Sequence, residues 1–155
     1  MNMHRILRLG VRKVAVSGMH PLGCLPPTTS RYSYNQCNDT LNDFVDRHNN
    51  ELNQAVTKLN QQVKHHSTFL VFDFYDSFIS VMNHPSKIKE KFRPCCDGIS
   101  TEYLCGSVEN NVKKYKICEH PESTFFWDGV HPSQAAWYAV YQNLQATSAF
   151  QQIRH

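Results

Sequence analysis

Thr68 to Tyr75 read TFLVFDFY, a short β-branched and aromatic run that suits a buried strand. Upstream of it, apolar side chains recur at Leu41, Phe44, Val45, Leu52, Val56, Leu59 and Val63. That period is close to 3.6, which predicts an amphipathic helix from Thr40 onward with one buried stripe. Asn38, Asp39 or Thr40 can each cap it, and Asp43 completes a Thr-x-x-Asp box if Thr40 does so. Further upstream, Met3 to Leu9 reads as the last turns of a helix stopped by Gly10, and VRKVAVSG, residues 11–18, as a strand ending at Gly18. A strand, a long helix and a second strand make a βαβ unit, so the fold class is α/β with a parallel sheet.

Between the first strand and the long helix, MHPLGCLPP carries too much Pro and Gly for regular structure and reads as a loop. Beyond TFLVFDFY, a helix is expected through Phe78, Val81 and Met82 until Pro85 interrupts it. Residues from Pro94 to Pro121 hold four of the six cysteines and little periodicity, which implies a long loop pinned by bridges. STFFW is then one more short strand or an extended approach. A closing helix starts near Pro132 and is expected to bury Ala136, Trp137, Val140, Tyr141 and Leu144.

At 155 residues the chain suits one domain, or one large piece of one, and a chain of this size typically buries about 70% of its unfolded surface. The formal net charge is +3, with the basic residues scattered rather than gathered into a stripe, so nucleic-acid binding has little support. No apolar run approaches the roughly 20 residues that a membrane-spanning helix needs. The six cysteines, Cys24, Cys37, Cys95, Cys96, Cys105 and Cys118, form an even set. Together with the glycosylation triplet Asn38-Asp39-Thr40 they point to an oxidising, secretory compartment. The N-terminus instead carries Arg5, Arg8, Arg12 and Lys13 where a signal peptide needs an unbroken apolar segment. The conflict resolves if Met1 is not the start of the natural protein.

The stretch FFWDGVHPS, Phe125 to Ser133, carries the chemistry. Imidazole titrates near neutral pH, which suits His131 to general-base work, and Asp128 three residues earlier can curl round to its other ring nitrogen. On its own, Asp-x-x-His is a common pattern that reads far more often as a loop and helix-cap pair than as a catalytic one. The histidines other than His131 are dispersed, with His65-His66 at a helix end. Cys95, Cys96, Cys105 and Cys118 have the right ligand type for zinc, but adjacent cysteines lack Cys-x₂-Cys spacing, so disulfides are the expectation. Core packing is the expected role of Phe126 and Trp127, although they could line an acyl pocket. For His48 a packing or hydrogen-bonding role on the long helix is expected.

FFWDGVHPS before an amphipathic helix resembles the last block of the plant GDSL esterase/lipase family, in the SGNH-hydrolase superfamily, of the form F-W-D-x-x-H-P-[ST]. The resemblance extends backward in order. LGVRKVAVSGMHPLGCLPP is similar to L-G-A-R-K-x-x-V-x-x-x-x-P-L-G-C-x-P, and CNDTLNDFVDRHNNELNQAVTKLN to C-x-x-x-x-N-x-x-x-x-x-H-N-x-x-L. FDFYDSF and PCCDG occupy their expected places. Asp97 and Ile99 interrupt the family's C-C-G-x-G, marking a divergent member.

The resemblance implies a partial three-layer α/β/α sandwich on a parallel sheet, with residues 1–155 forming the C-terminal portion of a single domain. It implies hydrolysis of a carboxylic ester through an acyl-serine intermediate, with His131 as base, Asp128 orienting it, and no metal or other cofactor. It also implies a Cys24–Cys37 bridge, with the remaining four cysteines paired among themselves, and a secreted protein acting on a lipid or other acyl ester. The family's Gly-Asp-Ser and Gly-x-Asn-Asp blocks do not occur in these 155 residues; Tyr75-Asp76-Ser77 and Cys37-Asn38-Asp39 only mimic fragments of them. The expectation is therefore a chain inactive alone, completed by an N-terminal half in cis or trans, with VRKVAV as an unpaired apolar edge. The alternative is a non-catalytic secreted glycoprotein or interaction module on the same scaffold.

Overall fold

The computed structural model describes residues 3–63, 68–84 and 88–153. The His65-His66 pair, Pro85 and His155 lie outside the described residues. Helix α1, Met3–Arg8, ends as the sequence implies. Gly10 takes φ +84 and its N–H donates to the Leu7 carbonyl at 3.0 Å. Strand β1, Val14–Ser17, then pairs in parallel with β2, Phe69–Phe72, in the register Val14↔Phe69 to Ser17↔Phe72. The long helix α3, Asp39–Gln61, connects them, which completes the βαβ unit.

Of the three candidate caps, Asn38 is the one used: its side chain accepts from the Leu41 N–H at 2.9 Å, and its amide nitrogen donates to the Tyr32 hydroxyl. The apolar stripe of α3 is narrower than expected. Val45 and Val56 are buried, but Phe44 is 61% exposed. The inward face is completed by three asparagines that clamp backbone. Asn42 Oδ1 accepts from the Gly23 N–H at 2.8 Å. Asn49 accepts from the Met19 N–H and donates to the Met19 carbonyl. Asn60 does the same to Phe69 on β2. Gly23 is required here, because a Cβ on it would lie 2.2 Å from the Asn38 carbonyl oxygen.

MHPLGCLPP is more regular than expected. Leu22–Cys24 forms a 3₁₀ turn and Pro26–Thr29 a short helix, α2, because prolines in a first turn lack only N–H groups that would be unpaired anyway. Helix α4, Phe74–Asn83, is capped by Asp73 and buries Phe78, Val81 and Met82.

Residues 94–121 are likewise not a plain loop. After β3, Glu90–Pro94, strand β4, Cys96–Gly98, pairs antiparallel with β7, Tyr115–Ile117. Nested inside is a hairpin of β5, Val108–Glu109, and β6, Val112–Lys113. Asn110 and Asn111 turn it with φ 50° and 61°, the left-handed pair of a type I′ turn. The disulfides are Cys24–Cys37, Cys95–Cys118 and Cys96–Cys105.

STFFW supplies β8, Thr124–Phe126, parallel to β3. The fold is thus a partial α/β arrangement in which the parallel strands of the described residues form two pairs, β1–β2 and β3–β8, rather than one continuous sheet. Helix α5, Gln134–Gln145, buries Ala136, Val140 and Leu144, while Trp137 and Tyr141 stay partly exposed. They rest edge-on against Phe74 and Phe78 and against Phe150 respectively; Phe150 belongs to α6, Ser148–Ile153. The core gathers Phe78, Val81, Phe125, Phe126, Ala136 and Val140 between α4, β8 and α5. Among the described residues no helix is long and apolar enough to cross a membrane.

Candidate active site

Strand β8 is buried along its whole length, and its C-terminal end delivers Trp127 into a tight turn. The Trp127 N–H donates to the His131 carbonyl at 2.8 Å, and beyond the turn the Ser133 N–H donates to the Phe125 carbonyl at 2.7 Å. Ser133 then caps α5, accepting from the Ala136 N–H while its hydroxyl donates to the Thr124 carbonyl. On the other side, the N–H of Cys95 donates to the Phe126 carbonyl and that of Cys96 to the Trp127 carbonyl. Both cysteines are disulfide-bonded, so the turn hangs between the start of α5 and a cross-linked ribbon.

Inside the turn, Asp128 Oδ1 accepts from the backbone N–H groups of Val130, at 2.8 Å, and His131, at 2.7 Å. Its Oδ2 lies 2.9 Å from His131 Nδ1. A carboxylate only accepts, so Nδ1 carries a proton and the neutral ring leaves its Nε2 lone pair available. Burial pushes the Asp128 carboxyl up, but the amide and ring N–H groups of His131 with the amide of Val130 outweigh it. The carboxyl therefore stands below its ordinary value. The side chain of Asp128 is 24% exposed and that of His131 72%. An anchored anion thus holds an accessible imidazole in one tautomer, the arrangement general-base chemistry requires.

Both residues line an open cleft of about 710 Å³ between the turn, α2 and the β4–β7 ribbon. Pro26, Pro27, Tyr34, Asp97, Tyr103 and Leu104 contribute to its walls. Gly98 belongs to this wall of necessity, since a Cβ there would sit 1.9 Å from the Tyr103 carbonyl oxygen.

The other residues singled out in the sequence fall elsewhere. Ser77 is 1% exposed within α4, and Phe126 is core. Trp127 lines a second hollow with Pro132 and Tyr138. His48 is exposed on α3 rather than packed, because the polar stripe of the helix faces outward at that position. The four cysteines weighed as zinc ligands are all in disulfides, and a disulfide sulfur has no thiolate to offer a metal. His20 was not singled out. Its ring stacks on Phe78 at 5.2 Å, and burial lowers its pKa. Tyr34 was missed as well: no glycine marks the left-handed turn that carries it.

The family model for GDSL-like lipase/acylhydrolases matches residues 1–144. Three GDSL esterase/lipases of Arabidopsis thaliana are similar to the chain. One is 46% identical over 93% of this chain and 42% of its own length. A second is 41% identical over 92% of this chain and 42% of its own. A third is 36% identical over 86% of this chain and 41% of its own. The chain thus spans about two fifths of the length of these relatives.

Proposed function

The chain belongs to the GDSL-like lipase/acylhydrolase family, and from that premise we propose that residues 1–155 are the C-terminal portion of a serine esterase/lipase domain in which His131 is the general base and Asp128 orients it. The observation that carries this reading is the Asp128 carboxylate, fixed by two backbone N–H groups and lying 2.9 Å from His131 Nδ1 beside an open cleft.

In the completed enzyme, His131 Nε2 takes the proton of a serine hydroxyl as that oxygen attacks the ester carbonyl, and returns it to the leaving alcohol. The same nitrogen then deprotonates the water that releases the acid. Asp128 stabilises the imidazolium through Nδ1. The serine and the oxyanion donors come from an N-terminal half joined in cis or supplied in trans, because these 155 residues hold no Gly-Asp-Ser block. Alone, the pair offers only proton transfer, worth about 10²- to 10⁴-fold, with no aligned hydroxyl to act on. Ester hydrolysis by the isolated chain is negligible on this reading. The substrate is a lipid or other acyl ester. The protein is secreted, consistent with its disulfides, and Asn38 is open to glycosylation at the amide nitrogen that now bonds Tyr32.

The experiment joins this chain to the serine-bearing half of one of the similar Arabidopsis proteins and follows hydrolysis of p-nitrophenyl butyrate. Hydrolysis should appear, fall by about 10³-fold or more in His131→Gln, and fall by about 10⁴-fold in Asp128→Asn, as loss of the orienting carboxylate does in a catalytic triad. Undiminished hydrolysis in His131→Gln would overturn the assignment. A fusion that folds but hydrolyses nothing would favour the second reading, a non-catalytic binding module, which the missing Gly-Asp-Ser block supports.

A further inference from the structure

The chain ahead of α3 ends a short helical run in an unusual way. After α2 and the 3₁₀ turn Ser30–Tyr32, the Ser33 N–H donates to the Ser30 carbonyl and the Tyr34 N–H to the Thr29 carbonyl. This 5→2 and 6→1 pair is the bonding pattern of a Schellman ending, where one residue, usually glycine, takes the left-handed conformation. Here two consecutive residues do, Ser33 at φ 54° and Tyr34 at φ 61°, and neither is glycine. A bulky side chain resists that region. Reversing the chain needs only the first of the two, so the second has a different consequence. It sets Tyr34 in the wall of the cleft that Asp128 and His131 also line. Backbone strain of this kind collects at ligand clamps.

The ring is also held. The Arg93 guanidinium lies 4.5 Å from its centroid, and Arg93 is not among the residues that line the cleft. Around Tyr34 the wall offers flat, CH-rich surfaces from Pro26, Pro27 and Tyr103, with the hydroxyls of Ser30, Ser100 and Thr101 at intervals. No lysine or arginine lines it, while Asp97 and Asp128 do, so the wall does not favour an anionic head group. The trough of about 710 Å³ is open, so an alkyl chain in it keeps part of its surface in water, whereas a ring gains a stacking partner in Tyr34.

We propose that Tyr34 is a specificity-determining residue of this cleft, stacking on a planar aromatic ring carried by the ester. The proposal rests on the reading that the cleft beside His131 is the substrate cleft. Aromatic pairing adds to simple burial and discriminates a ring from an alkyl chain of equal size.

The test is binding to the 155-residue chain, in which a neutral ester persists on the reading that the chain alone does not turn it over. Methyl 4-hydroxycinnamate and methyl octanoate are titrated by protein-observed NMR against wild type, Tyr34→Phe and Tyr34→Gly, with thermal midpoints recorded in parallel. The aromatic ester should bind several-fold more tightly than the octanoate. Tyr34→Phe should stay within about twofold of wild type, and Tyr34→Gly should lose about tenfold. Glycine accepts the left-handed conformation, so the midpoint of Tyr34→Gly should not fall. Equal or better binding of the octanoate, undiminished binding in Tyr34→Gly, or no saturable binding of either ester would overturn the proposal. Failure of the esterase reading shows separately: a fusion without hydrolysis alongside Tyr34-dependent ring binding sinks that reading and leaves this one.

Discussion

Asp128 illustrates how much one side chain can be asked to do. Its oxygens satisfy two backbone donors and the His131 ring, and those bonds depress its carboxyl pKa against the opposing effect of burial. A depressed carboxyl contributes stability that is full above its unfolded pKa, about 3.9, and is lost as pH falls through the folded value. Asp128→Asn should therefore destabilise the chain at pH 7 by about 1.5–3 kcal/mol, the range for hydrogen bonds to a charged group. The gap should close on acidification below pH 4, and an unchanged gap in urea melts at pH 3 and 7 would contradict this origin. His20 behaves oppositely in charge but alike in sign. Its Nε2 is buried with no hydrogen-bond partner among the described residues, and burial lowers its pKa. The unfolded chain therefore protonates first as pH drops below about 6.5, and stability should fall by up to about 1.4 kcal/mol per pH unit until the folded histidine also titrates. His20→Phe keeps a ring on Phe78 and should flatten that slope in melts between pH 7 and 5. Asp128 and His131 were legible because three residues of sequence suffice to bring them together. His20 and Tyr34 were not, since one depends on a helix 58 residues away and the other on a turn that carries no glycine.

Among the elements, α3 was read correctly in extent and only in part in what it buries. The apolar period located the helix, but Phe44 points outward and the inner face is held by Asn42, Asn49 and Asn60. Their spacing was visible: 42 and 49 lie about two helical turns apart, and 42 and 60 about five, so all three share a face. Polar residues at such positions go unnoticed when only apolar ones are counted. Asn42 and Asn49 serve loop backbone that no ladder reaches, and Asn60 serves the N–H and carbonyl of Phe69 at the start of β2, as buried amides require. Asn42→Ala strands the Gly23 N–H in a buried site and should cost about 2–3 kcal/mol, more than a typical surface change, in chemical denaturation. A loss below 0.5 kcal/mol would mean that water or a shifted loop replaces the bond. The ribbon of residues 96–117 was misjudged for a related reason: strands of two or three residues leave no period to read. Only the Asn110-Asn111 pair announces the hairpin, through its tolerance of the left-handed region.

At the scale of the molecule, the strand–helix–strand unit fixed the parallel pairing, but each parallel pair stands as two strands among the described residues. Parallel sheets are stable when both faces are covered, and β1 meets that condition on one side only. Val14 and Val16 are half-buried, while Ala15 and Ser17 are exposed, and β2 takes one edge of the strand, leaving the other without a strand partner among the described residues. An exposed edge of this kind is a template for a further strand. On the reading proposed above, a serine-bearing half would take that place; without it, a second copy of the chain can take it. The isolated chain should therefore self-associate as concentration rises through the micromolar range in sedimentation velocity. Ala15→Lys sets a charge on the exposed face beside the open edge and should reduce the association without lowering the thermal midpoint, because Ala15 contributes nothing to the core. Adding the serine-bearing half should suppress self-association as hydrolysis appears. A wild-type chain that stays monomeric throughout, or a fusion that hydrolyses ester while still associating through β1, would place the missing strands elsewhere.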